Sequence, residues 1–214
     1  MVPHRQARLP LHHPAVAEVG RQRRAGTEAV SLRRARAVSC AVPADSTLRA
    51  TADDAYFVHC AAIGLSRAPV SALQVYQDIA HLVPAWFEGM MTARNCVMRW
   101  LGMKDLGRIR AAGRARDVRV GEKVGIFTVL SHAPNEIVLG DQDRHLRVSL
   151  SLQVRRQHDA AHLYCATVVE HPNWLGRLYM LPVDPIHRLI VPHLLQRYAR
   201  RLCDASAPFP RDAP

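Results

Sequence analysis

Four side chains that could bind or activate a polar group lie close together near the C-terminus of the sequence. They are Arg177, Tyr179, His187 and Arg188. Beside an apolar pocket, such groups can orient a carboxylate or polarise a carbonyl, with His187 and Tyr179 as acid and base. The alternative is structural, with the arginines in surface or loop hydrogen bonds and His187 packed within a helix. The sequence leaves both interpretations open.

Large apolar side chains further upstream could line a ligand cavity. Six aromatic and methionine residues fall at helical spacing in one segment: Trp86, Phe87, Met90, Met91, Met98 and Trp100. Because methionine side chains adapt to irregular shapes, this segment could form an adaptable cavity wall. The same spacing is also typical of an ordinary helix core.

Several reaction and cofactor classes lack their characteristic motifs. HExxH and CxxC are absent, and His158 and His162 flank a predicted turn without further ligands, so no metal is expected. G-x-S-x-G, GxGxxG and GxxxxGK[ST] are absent too, which leaves a serine hydrolase or nucleotide binding without sequence support. Cys165 is expected to be a small buried side chain. No cofactor is predicted.

The polar candidates belong to a stretch with helical periodicity, Asn173–Cys203. Its apolar residues recur every three or four positions, and Asn173 is a suitable N-cap. Its prolines predict a broken first part, a main helix from about Pro185 and a kink at Pro192. The apolar face that should lie on a sheet includes Leu189, Ile190 and Leu194.

Strand patterns precede this helix. The first is Asp54–Ile63, and after two helices come Lys123–Ser131, Glu136–Gly140, His145–Val154 and Leu163–Glu170. The clearest alternation predicts a buried set of Leu146, Val148, Leu150, Leu152 and Val154, with Ser149 and the other intervening polar residues facing solvent.

The two intervening helices should begin after a cap at Ser71 and be separated by Pro84, the second reaching about Met103. We expect them to pack at one edge of the sheet. The element order, one strand, two helices, a strand meander and a long helix, predicts an α+β fold.

Two stretches resemble a known family: NEIVLGDQDRHLRVSLSLQV and NWLGRLYMLPVDPIHRLIV. Over Asp53–Cys203 the chain resembles an uncharacterised bacterial family of the START-like (SRPBCC) superfamily, which includes polyketide cyclases and lipid-transfer domains. The pattern is carried by Asn173, Gly176, Arg177, Tyr179, Pro185, His187 and Arg188. The resemblance implies a helix-grip fold, a curved antiparallel sheet around a C-terminal helix with an apolar cavity between them. It implies no particular reaction.

Composition separates the N-terminal fifty residues from the rest. They hold nine arginines, no lysine, no aromatic residue and three acids, and so contribute +6 of the net charge of +11. We expect residues 1–50 to be a disordered basic segment or an extension upstream of the true start, 53–203 to be the folded domain and 204–214 to be a disordered tail. A transit peptide would share the leader's composition.

The cysteine content and the lengths of the apolar runs indicate the cellular compartment. Five scattered cysteines favour reduced thiols in a cytoplasmic protein, and no apolar run is long enough for a membrane span. The oligomeric state and the identity of any ligand are left open.

The leading functional hypothesis is binding of a small hydrophobic or amphipathic molecule between sheet and helix. One alternative is a cyclase or dehydratase using His187 and Tyr179. Another is binding of nucleic acid or an anionic surface through the arginine-rich N-terminal segment. The predicted ligand-binding residues are Trp86, Met90, Met98, Arg177, Tyr179, His187, Arg188 and Leu189.

Overall fold

The computed structural model describes residues 36–100, 117–142, 145–157 and 160–205, without the side chains of residues 93, 94, 96–100, 157, 160 and 205. The elements in chain order are β1 (Val38–Ser39), α1 (Arg49–Asp53), β2 (Phe57–Leu65), α2 (Ala72–His81), α3 (Ala85–Trp100), β3 (Lys123–Val124), β4 (Phe127–His132), β5 (Glu136–Gln142), β6 (Arg147–Gln157), β7 (Ala160–Glu170) and α4 (Trp174–Ala205).

The described strands form a seven-stranded antiparallel sheet in the order β1-β2-β7-β6-β5-β4-β3. From β3 to β7, strands that are consecutive in the chain are also neighbours in the sheet. Strand β2 pairs with β7, which is distant from it in sequence. The sheet is curved and α4 lies on its inner face. This arrangement confirms the predicted α+β, helix-grip fold.

The predicted strand Lys123–Ser131 is two strands. A tight turn at Gly125 and Ile126 joins β3 to β4, since Val124 pairs with Phe127. Gly125 has a φ of 64°, a left-handed conformation that glycine adopts without the steric cost of a Cβ atom. The alternation of apolar residues does not show this turn, because the segment is apolar on both sides of it.

The main hydrophobic core lies between the inner face of the sheet and two helices, α2 and α4. Its members include Ile63, Leu139, Leu152, Leu163, Val75, Tyr76, Ile190, Leu195 and Tyr198. The expectation that α2 would pack at a sheet edge is therefore wrong, because its buried side faces the sheet beside α4. Its start agrees with the prediction, since the Ser71 side chain accepts a hydrogen bond of 3.2 Å from the Gln74 N–H.

Helix α4 runs without a break for 32 residues, although a broken first part was expected. Its predicted cap is confirmed, since Asn173 Oδ1 accepts a 3.0 Å hydrogen bond from the Gly176 N–H. Each of its three prolines removes one bond to the carbonyl four residues earlier. Those carbonyls belong to Leu178, Leu181 and Arg188, all on the exposed side, where water can replace the lost donor.

The outer face of the sheet is also covered, which overturns the expectation that the polar residues of β6 face solvent. Ser149, Ser151 and Gln153 are all buried, and Ser151 is only 1% exposed. The covering chain is residues 40–55, called the outer strap here. Its Leu48 packs on Val138 and Val168 of the sheet.

The outer strap also corrects the predicted domain boundary. Ordered structure was expected to begin near Asp53, but residues 36–53 include β1, which pairs with β2, and α1. The strap was missed because its anchors are few and irregularly spaced, so they leave no hydrophobic period. Residues 1–35 and 206–214, the rest of the two predicted disordered segments, lie outside the described residues.

Candidate functional site

Two histidines meet where α4 crosses β2. Nδ1 of His59 lies 3.2 Å from Nδ1 of His187, and the two rings meet edge to face with centroids 5.2 Å apart. At this distance one imidazole donates its N–H and the other accepts it, so the contact requires different tautomers of the two neutral rings. His59 is 4% exposed and His187 is partly buried.

A threonine hydroxyl lies beside this pair without a partner. Thr167 on β7 stands directly opposite His59 in the strand register, so the two side chains share the inner face. Its Oγ1 atom is fully buried and has no hydrogen-bond partner within the described part of the chain. A buried hydroxyl in this state costs free energy unless another group supplies the bond. We call His59, His187 and Thr167 the inner polar layer.

The histidines are uncharged near neutral pH. Burial lowers the pKa of His187 to about 4; the charges of His59 and Arg188 act in the same direction, while Asp184 opposes them. Burial also lowers the pKa of His59, again with help from Arg188 and against Asp184. The inner polar layer can therefore donate and accept hydrogen bonds without carrying charge.

Aromatic and apolar side chains enclose one side of the layer. The Phe57 ring meets that of His187 edge to face at 5.8 Å, and Phe57, Val169 and Met180 form a buried cluster that Tyr179 packs against. The guanidinium of Arg188 lies 5.2 Å from the Phe57 ring centroid and forms an ion pair with Asp184. The charge of Arg188 is thus partly balanced within its own helix.

Of the residues predicted to bind a ligand, the structure brings His187, Arg188 and Tyr179 together around Phe57. Arg177 instead stacks over Tyr56, 5.6 Å from the ring centroid. Leu189 is 67% exposed, so it does not face the sheet as expected. The next residue, Ile190, was also expected on that face, and it does pack into the core between α4 and the sheet.

The other predicted wall residues lie on α3. Trp86 is largely exposed and meets Phe87 edge to face, and Met90 is partly buried. The side chain of Met98 lies outside the described residues.

His59 and Thr167 were missed in the sequence, yet a signal for both was present. Each interrupts an apolar alternation, His59 in the series Phe57, Ala61, Ile63, Leu65 and Thr167 in the series Leu163, Cys165, Val169. A polar residue at a core position of a strand needs a partner or a purpose. That two such positions are adjacent could not be read before the β2–β7 pairing was known.

The outer face holds a buried polar group of a different kind. The carboxylate of Glu136 accepts hydrogen bonds from the hydroxyls of Ser46 (2.7 Å), Thr47 (2.7 Å) and Ser151 (2.6 Å) and from the Thr47 N–H (3.1 Å). Burial alone would raise the pKa of Glu136, but these hydrogen bonds outweigh it and hold the pKa below its ordinary value. This outer carboxylate clip fastens the strap to the sheet.

A cleft of about 580 Å³ opens beside the clip, between the strap and the strands β4 to β6. Its lining is mixed and includes Thr47, Leu48, Thr128, Ser149 and Arg147. The guanidinium of Arg147 is bonded to Gln142 at 3.0 Å.

Among the described side chains, no three of His, Cys, Asp or Glu converge as a metal site requires. None of the described helices combines the length and apolarity needed to cross a bilayer.

Comparison with known proteins gives one family match. A family model described as "Protein of unknown function (DUF2867)" matches residues 51–194. No curated protein matches the sequence. A similar solved structure is that of CalU16 from Micromonospora echinospora, with 12% identity over 80% of this chain and 93% of that chain, and a TM-score of 0.27. A likeness this distant carries no argument about function.

Proposed function

The chain belongs to the DUF2867 family, and from that premise we propose that it binds a small amphipathic molecule at the inner polar layer. The apolar body of the ligand would lie between the sheet and the first half of α4. Its polar head would bond to His59, His187 and Thr167. Membership of the START-like superfamily remains the prediction made from the sequence.

The unpartnered hydroxyl of Thr167 is the observation that carries this proposal. Folding leaves it buried beside two histidines in an interface that is otherwise apolar. A sequence selected for stability alone would place valine there, since valine has the same shape without the desolvation cost. A ligand that supplies the missing hydrogen bond would explain why threonine and not valine occupies this position.

The charge state of the layer selects the head group. Both histidines are neutral near pH 7, and Arg188 is paired with Asp184, so no uncompensated positive charge faces the layer from these residues. A carboxylate would lose its hydration there without gaining a counter-charge. A hydroxyl or carbonyl head loses less and matches the donors and acceptors present. The ligand class we infer is therefore a neutral long-chain alcohol, ketone or similar molecule.

Entry of such a ligand requires α4 to shift, because the Thr167 hydroxyl is closed to solvent. Two prolines, Pro182 and Pro185, lie in the part of α4 next to the layer and leave carbonyls without helical partners. Fewer hydrogen bonds therefore oppose bending there than in the second half of the helix.

Displacement of the neutral dye Nile red from the full-length protein tests the proposal. We expect decanol to displace the dye more strongly than decanoate does. Thr167→Val should weaken decanol binding about tenfold, the value of one hydrogen bond. Thr128→Val, a strand threonine in the outer cleft, is the matched control and should change nothing.

Two results would refute the proposal. If Thr167→Val and His187→Leu both leave decanol binding unchanged, the layer is not the site. If decanoate binds more tightly than decanol, the inference of a neutral head group is wrong. Native mass spectrometry of the purified protein would show directly whether an apolar molecule remains bound.

Catalysis at the same layer is the second candidate, and it rests on the position of His187 in contact with His59 next to the buried Phe57 cluster. An imidazole that stays unprotonated at neutral pH can accept a proton from a bound substrate. A panel of aromatic polyketides tests for a cyclase or dehydratase. Turnover that His187→Ala abolishes would establish an enzyme, whereas binding without turnover would leave a carrier.

A further inference from the structure

We propose that the solvent-facing side of α4 docks onto the surface of an anionic lipid bilayer. The helix would lie in the plane of the interface and would not cross it. This proposal does not rest on the ligand proposed above, because it uses the opposite side of the helix.

The first observation is a row of exposed apolar side chains. Trp174 is 75% exposed, Leu178 55%, Leu181 68% and Leu189 67%. Their separations of four, three and eight residues keep them within one narrow sector of a helix with 3.6 residues per turn. Pro182 and Pro185 are exposed in the same sector. We call these six residues the docking stripe.

The docking stripe is not the side of α4 that holds the fold together. Met180, Ile190 and Val191 are buried on the sheet side, so the first half of the helix is apolar on two opposite sides. A helix that is apolar on both sides is normally covered on both. The described structure covers one, which leaves the other for an apolar medium or partner.

The charges around the docking stripe identify the partner. Arg177 and Arg188 are exposed along one edge of it, and Arg188 is paired with the partly buried Asp184. Arg197, Arg200 and Arg201 are exposed in the last turns of α4, where Arg197 and Arg201 lie about 100° or more around the helix from the centre of the stripe. Exposed tryptophan and leucine beside exposed arginines are the pattern of helices that bind anionic membrane surfaces.

Nucleic acid and a second copy of the chain fit less well. Phosphate binding has no use for three exposed leucines, which would remain in water. A second copy would place two arginine-rich helices side by side, so like charges would meet. A bilayer that contains anionic lipid satisfies the leucines and the arginines together.

Sedimentation of the full-length protein with lipid vesicles tests the proposal. We expect binding to vesicles of phosphatidylcholine mixed with phosphatidylglycerol to be at least about tenfold tighter than to phosphatidylcholine alone, and to weaken as salt is added. The double variant Leu178→Ser/Leu181→Ser should bind about tenfold or more weakly, because two inserted side chains are lost. Both positions are exposed, so folding should be preserved, and circular dichroism checks this.

Val70→Ser is the matched control, since Val70 is an exposed apolar residue away from α4, and it should bind normally. The arginine-rich residues 1–35 are identical in all variants and cannot account for a difference between them. Equal binding by the double variant and the parent would overturn the proposal. So would a dimer in solution that the double variant dissociates, because the stripe would then be covered by a second copy.

Discussion

On the outer face of the sheet the carboxylate of Glu136 accepts hydrogen bonds from Ser46, Thr47 and Ser151, whereas on the inner face the hydroxyl of Thr167 is buried with no partner among the described residues. Both faces bury polar atoms, and the outer face also buries Gln153, whose Oε1 atom has no partner among the described residues. The difference separates two uses of buried polarity. A satisfied group holds two segments together, while an unsatisfied one costs stability unless another group supplies the bond.

The same contrast applies to charge. Hydrogen bonds keep Glu136 ionised inside the protein, which makes the outer carboxylate clip a charged structural link. Burial keeps His59 and His187 neutral, which preserves their ability to donate and accept. Each variant below removes a polar group from one face of the sheet, and the change in the free energy of unfolding shows what that group contributes.

The largest effect is expected for Glu136→Ala. The change removes the carboxylate that accepts hydrogen bonds from the hydroxyls of Ser46, Thr47 and Ser151. We therefore expect the free energy of unfolding to fall by roughly 4 kcal/mol. Urea denaturation measures it. Glu122→Ala is the control, because the Glu122 carboxylate accepts a bond from the Arg119 N–H at the surface, and it should cost below about 0.5 kcal/mol. Similar losses for the two variants would show that the clip is not what fastens the strap.

The free energy of unfolding, measured as a function of pH, should separate the contribution of the two inner-face histidines from that of Glu136 on the outer face. The folded-state pKa of His187 is about 4, below the ordinary 6.5, so its contribution is complete above pH 6.5 and is lost as the pH falls toward 4. The shift of His187 alone corresponds to a loss of roughly 3 kcal/mol, and His59 acts in the same direction. The contribution of Glu136 is present above its unfolded value of 4.5 and is lost below that pH.

Two variants show which residue causes the loss of stability in each pH range. His187→Leu should flatten the stability curve between pH 6.5 and 4.5 and leave the acid limb. Glu136→Gln should flatten the acid limb alone. If His187→Leu leaves the upper window unchanged, the histidine pair is not buried in its neutral form.

The smallest effect has the opposite sign. Thr167→Val removes a buried hydroxyl without a partner, so we expect the ligand-free protein to become more stable by about 1 kcal/mol. Thermal unfolding in the absence of ligand measures it. Combined with weaker decanol binding, this gain would mark Thr167 as a residue kept for function. A loss of stability would mean that the hydroxyl has a partner in solution, as the carboxylate of Glu136 has on the outer face.

Much of the fold could be predicted from the sequence. The period of His145–Val154 indicated a strand of an antiparallel sheet, and Ser71 and Asn173 marked two helix starts that the structure confirms. These signals are local, because a strand period or a cap depends on residues within one turn or one strand. Their order along the chain predicted the α+β class, and the family resemblance implied the helix-grip arrangement that the structure confirms.

Part of the candidate site could be predicted as well. Of the residues singled out in the sequence, His187 and Arg188 contact the Phe57 ring and Tyr179 packs against the cluster that contains Phe57, while their role in binding stays a prediction. Leu189 was placed on the wrong side of that helix, since two apolar sides gave its period no unique direction. The apolar pattern of α4 could not show which side meets the sheet.

The sequence by itself determined most of the elements from β2 onward, their order, two helix caps and the helix that carries His187. Only the tertiary structure decided that β2 lies beside β7, which sets Thr167 opposite His59. It also decided that residues 40–55 cover the outer face, which turned the polar side of β6 from a predicted surface into an interior. The physical reason is separation along the chain: Thr167 and His59 are far apart in sequence, as are Glu136 and Ser46. Contacts between such distant residues leave no trace in a local pattern.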